Sequence, residues 1–192
     1  MTPFRRRRRG KILAVFEPGE AALLANLARQ LVELLRDRHG EAVADADPLA
    51  AQLGLNGPSL PPEDPVLRRL LPDAYHDDAE ESGEFRRYSE QALTAAKVGN
   101  AEAVIAALIV GGFDPDELGV AEPVEVELGP EAAMSWLKSL TDLRLAIAVR
   151  VGIEDEDDAD LIVHSDDEQA VAMVEVYEWL GYVQETLVAV LG

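Results

Sequence analysis

His76 stands beside Asp73, Asp77 and Asp78, and one imidazole among three carboxylates could ligate a divalent ion or act as a general base. The segment holds a single histidine, however, and clustered acids in a turn more commonly face solvent or cap the following helix, so a structural turn is the expected state. A metal-dependent enzyme centred on His76 is kept as an alternative reading. The run Glu154, Asp155, Glu156, Asp157 and Asp158 has the composition of a calcium loop, yet it lacks the alternating ligands and the central glycine that such a loop requires. Ser135, Ser139, Thr141 and Ser165 form no nucleophile elbow. Gly10, Gly19, Gly54, Gly57 and the Gly111-Gly112 pair fall outside the phosphate-cradling patterns, so no nucleotide or other cofactor is expected. With no cysteine in 192 residues, disulfides, thiol nucleophiles, thiolate metal sites and direct thiol redox sensing are excluded in this chain.

Charge supplies the other chemical signal. Arg5, Arg6, Arg7, Arg8 and Arg9, with Lys11, account for six of 17 basic residues, and all 37 acidic residues follow them. The remainder is therefore strongly acidic and repels a nucleic-acid backbone at long range, which disfavours duplex binding by the body. Residues 1–10 read as a flexible basic arm whose arginines are candidate phosphate contacts, giving an alternative function as a nucleic-acid-binding regulator. No apolar run approaches the length that spans a bilayer, and the chain reads as cytoplasmic.

The elements that must position these residues follow from periodicity. Lys11 to Phe16 suits a short strand closed by Pro18-Gly19, and Val124, Val126 and Leu128 alternate with Glu125 and Glu127 as a half-buried strand does. Leu24, Leu27, Leu31 and Leu34 predict a helix from Glu20 to about Arg38, stopped at Gly40. Asp64-Pro65 announces a short helix ending at Pro72, Gly99-Asn100 marks an interruption of the next one, and Pro115 to Gly119 reads as a turn. Trp136, Leu140, Leu143 and Ile147, then Val176, Leu180, Val183, Leu187 and Val190, fall on single helical faces. The expected fold is mainly α (α+β): one helical domain over residues 11–192, a small two-stranded ribbon, and an acidic loop near residues 154–168.

The segments Trp136 to Leu145 and Tyr177 to Val188, strengthened by Leu71-Pro72-Asp73-Ala74-Tyr75, resemble an actinobacterial family of unknown function commonly encoded near a ClpS-type adaptor. Some of its members are labelled AosR, an oxidative-stress transcriptional regulator. The resemblance implies a non-enzymatic regulator and points to Trp136, Asp142, Arg144, Tyr177, Trp179, Gln184 and Glu185 as interaction or scaffold positions. Asp142, Arg144, Gln184 and Glu185 are the candidates for contacting another protein, such as a transcription component. Self-association is left open. Thiol switching of the kind proposed for cysteine-containing relatives cannot occur through this chain's own side chains.

Overall fold

The computed structural model describes residues 1–44, 58–75, 78–115 and 122–192. Among them are six α-helices and one three-stranded antiparallel sheet, so the protein is mainly α with a small β component. The strands are β1 (Thr2–Arg6), β2 (Ile12–Phe16) and β3 (Val124–Leu128). The helices are α1 (Pro18–Ala44), α2 (Pro65–Leu70), α3 (Ala79–Val110), α4 (Pro130–Val151), α5 (Glu156–Val163) and α6 (Glu168–Leu191).

β2 lies in the middle of the sheet, antiparallel to both neighbours, with Ile12 opposite Leu128 and Phe16 opposite Val124. Val124, Val126 and Leu128 are buried while Glu125 and Glu127 face water, as the two-residue period requires. The expected ribbon is thus present and extended by one strand. That third strand lies within the segment read as a flexible arm: Phe4 is buried, edge-on to Trp136 at 5.8 Å and to Phe16 at 6.2 Å between ring centroids. One aromatic anchor burying its ring is enough to order a stretch that otherwise looks like solvated charge.

α4 is the hub, packing on α3, α6, α2 and β3, and its Trp136, Leu140, Leu143 and Ile147 are all buried. On α6, Leu180, Val183 and Leu187 are buried and Val176 and Val190 pack at the margin of the same core. α1 contributes Leu24, Leu31 and Leu35, with Leu27 and Leu34 half-buried. Asp64 caps α2 as its sequence announces, accepting from Val66 N at 2.7 Å and Leu67 N at 3.2 Å.

Three expected boundaries moved. α1 continues through Gly40 to Ala44, and α3 runs unbroken through Gly99-Asn100 into the buried Ala101, Val104 and Leu108, since one glycine costs a helix only about 1 kcal/mol. The acidic loop contains α5, started by a reciprocal cap in which Asp155 accepts from the Asp157 and Asp158 amides and Asp158 accepts from Asp155 N. The turn expected at Pro115 to Gly119 lies largely outside the described residues. α3 is also the one described helix long and apolar enough, by length and composition, to cross a membrane; here it packs along α1, α4 and β3.

Candidate functional site

The first half of α3 is turned inside out. Asp78 caps it, accepting from Glu80 N at 3.0 Å and Glu81 N at 2.9 Å, and the residues that then point inward are polar: Ser82, Arg86, Glu90 and Thr94 are all buried. Arg86 is 4 % exposed; it donates to Leu71 O at 3.2 Å and to Asp73 at 2.5 Å, and forms an ion pair with Glu90. Glu90, 5 % exposed, also accepts from Arg38 Nε at 3.0 Å, and Arg38 reaches Leu60 O at 2.7 Å. Ser82 closes the loop by donating to Tyr75 O at 2.5 Å while accepting from Tyr75 N at 3.0 Å. Burial pushes the Arg86 pKa down, but hydrogen bonds and charge from Asp73 and Glu90 outweigh it, and the net shift is upward. Buried charges are tolerated only when paired in this way. Its Nε is buried with no partner.

The consequence appears on the flank of the helix that faces water. Phe85 is 49 % and Tyr88 66 % exposed, whereas the exposed Leu93 borders the buried polar row and lines a small cavity with Phe85, Arg86 and Glu90. Tyr75 meets Phe85 edge to face at 6.2 Å and 84°. Asp78, Glu80, Glu81 and Glu84 are exposed on the N-terminal turns of the same helix. Among the described residues, these exposed aromatics and the acidic groups near them include no nucleophile or base poised for reaction, and the composition is that of a protein-binding anchor.

The four interaction candidates drawn from the sequence do not share a face. Asp142 is buried and points to α3, where Lys97 Nζ lies 2.6 Å from its carboxylate. Burial pushes its pKa up, Lys97 only partly opposes this, and the net direction is upward. Arg144 and Gln184 lie together at the α4–α6 seam: Arg144 donates to Gln184 Oε1 at 3.0 Å, and Gln184 donates to Thr141 Oγ1 at 2.7 Å. The guanidinium sits 4.5 Å from the centre of the Tyr177 ring, and a Cβ on Gly181 would meet it at 3.4 Å. Both residues join helices here, and Glu185 is exposed beside them. Trp136 is wholly buried, and Trp179 packs half-buried against the core.

Of the cluster around His76, Asp73 is engaged by Arg86 and Asp78 caps α3, while His76 and Asp77 lie outside the described residues. Arg5, Arg6, Arg7 and Arg8 are exposed; the side chain of Arg9 lies outside the described residues. Sequence reasoning missed Leu60, Tyr75, Phe85, Tyr88 and Leu93. Their signal was present, since Phe85, Tyr88 and Ala92 recur at helical spacing, but so do Ser82, Arg86, Glu90 and Thr94, and burying the apolar row is the default choice.

Fold and surface together define a mainly α protein without a recognisable reaction centre among its described residues, bearing a built apolar face on an acidic body. The chain belongs to the family described as Domain of unknown function (DUF2017), whose model matches residues 1–191. It is 33 % identical over 183 residues to proteins named Oxidative stress regulator AosR from Mycobacterium bovis and from Mycobacterium tuberculosis, covering 91 % of this chain and 79 % of each relative. A relative from Mycobacterium leprae is 31 % identical over 198 residues, 93 % of this chain and 81 % of its own. No solved structure matches the chain.

Proposed function

We propose that this chain is a non-enzymatic, cytoplasmic regulatory protein that acts by binding another protein, a component of transcription in the response to oxidative stress, through the aromatic face of α3. The observation that carries the reading is the inversion of that helix: Arg86 and Glu90 are held inside while Phe85 and Tyr88 are presented to water. Keeping apolar rings exposed beside a costly buried ion network is hard to account for by stability alone, and contiguous exposed apolar surface is a mark of interaction sites. The acidic groups at the start of α3 favour a partner whose apolar anchor is flanked by lysine or arginine. The names of the relatives support the regulatory setting. With no cysteine, this chain receives any thiol-based redox signal through its partner.

A photo-reactive phenylalanine analogue placed at Tyr88, with Tyr182 as a control position, tests the assignment in cells exposed to peroxide. The expected result is one transcription protein cross-linked from Tyr88 and not from Tyr182. Reconstituted with purified chain, that protein should bind stoichiometrically, and Phe85→Ser with Tyr88→Ser should weaken binding at least about 30-fold, the effect of losing a hot spot near 2 kcal/mol. Equal binding by the double variant, or cross-linking from Tyr182 alone, refutes the face.

A further inference from the structure

The N-terminal arginines are independent of the α3 face, and their order is what makes them informative. Phe4 is turned into the core while Arg5 and Arg6 face water. Arg7 continues extended at φ −113° and ψ 174° into a 3-10 turn, Arg8–Gly10. That turn is fixed, since Arg7 N donates to Lys11 O at 2.7 Å and Gly10 occupies φ 73°, a left-handed position that glycine accepts without strain. Alternate residues of extended backbone share a side about 7 Å apart, so Arg5 and Arg7 repeat at a spacing commensurate with phosphates along a nucleic-acid strand.

The ridge is also uncompensated. The chain holds 37 acidic residues, yet among the described residues no carboxylate pairs with Arg5, Arg7 or Arg8. Neighbouring basic groups are engaged at the surface: Lys11 lies 3.2 Å from Glu127, and Arg6 donates from Nε to Val190 O at 2.8 Å near the end of α6. Self-neutralisation would have been available to so acidic a protein, and among the described residues it does not reach Arg5, Arg7 or Arg8.

We propose that Arg5, Arg7 and Arg8 form a rigid phosphate-contact ridge that holds the backbone of a nucleic-acid strand without reading its bases. An acidic polypeptide adding as a further strand fits less well, because Pro3 lacks an N–H and the register shift between Thr2 and Arg5 disrupts the edge. No aromatic side chain is exposed among residues 1–10, so base stacking contributes nothing and single strands and duplexes are held through the same phosphate chemistry. The acidic remainder limits the contact to a few phosphates.

Fluorescence anisotropy tests this on the full chain across a salt series, using fluorescein-labelled oligonucleotides of roughly 20 residues, single-stranded and duplex, and a labelled polyglutamate peptide. Three phosphate contacts predict a log–log salt slope of about −2 to −3, and each Arg→Ser substitution at positions 5, 7 and 8 should reduce it by about 0.7 to 0.9. The triple Arg→Lys variant should keep the slope, and unfolding curves of all variants should coincide with that of the parent chain. Absence of oligonucleotide binding at the lowest salt, unchanged binding by the triple serine variant, or tighter binding of polyglutamate overturns the proposal.

Discussion

Replacing Arg86 with methionine removes the centre of the buried ion network while keeping a side chain of similar length. The structure sets the size of the effect. The variant loses the bond to Leu71 O, the pair with Asp73 and the pair with Glu90, all made by a residue 4 % exposed. Breaking a buried pair by removing one partner costs about 3–5 kcal/mol. The lower end applies, because Glu90 keeps Arg38 and the Asp73 side chain, 35 % exposed, can be rehydrated. A loss of about 3 kcal/mol is therefore expected in urea unfolding followed by circular dichroism, with an unchanged slope against denaturant. Tyr88→Ser on the opposite side of the helix should change stability by no more than about 0.5 kcal/mol. A charged residue would then matter far more to folding than the aromatic two positions away. Equal and small effects of the two substitutions would show that Arg86 is solvated and that α3 is not inverted.

Phe4→Ala should cost about 3–5 kcal/mol in the same assay, since its ring packs edge-on to Trp136 and Phe16, whereas Arg5→Ala should be near neutral. Gly111→Ala should destabilise by roughly 1–3 kcal/mol: its Cβ would stand 2.6 Å from Glu125 O, where Gly111 O accepts from Glu125 N and fastens the end of α3 to β3. Thermal unfolding reads the loss, and an unaltered midpoint would contradict that close approach. Asp142 titrates above its ordinary value because burial disfavours the carboxylate, so its ionisation lowers stability as pH rises through the folded-state pKa and this loss is relieved as pH falls. Lys97→Met should move the Asp142 carboxyl titration, followed by carbon NMR, further upward, and a downward or null shift would break the pairing assignment.

Rows of leucine and valine made the helices readable, and so did Asp64-Pro65 and the alternation of Val124, Val126 and Leu128. Strand β1 was hidden because five arginines outweigh Phe4 in any local pattern, although only Phe4 has to be buried. Helix α5 was hidden because its start is a capping box written entirely in aspartates, which reads as a solvated loop. Among the interaction candidates, Asp142 and Arg144 stand two residues apart, roughly 200° around a helix, so they face α3 and α6 respectively and cannot share one surface. The α3 face was ambiguous for another reason. Two rows of equal period run through residues 82–94, and only the positions of Asp73, Leu71 and Arg38, remote in sequence, decide which row goes inside.

Hydroxyl-radical footprinting of the isolated chain, read by mass spectrometry, measures that orientation directly. Phe85 and Tyr88 should be modified readily, while Phe16 and Trp136, both wholly buried, stay protected in the same sample. Protection of Phe85 and Tyr88 to the level of Phe16 and Trp136 would contradict the exposed aromatic face on which the proposed function rests.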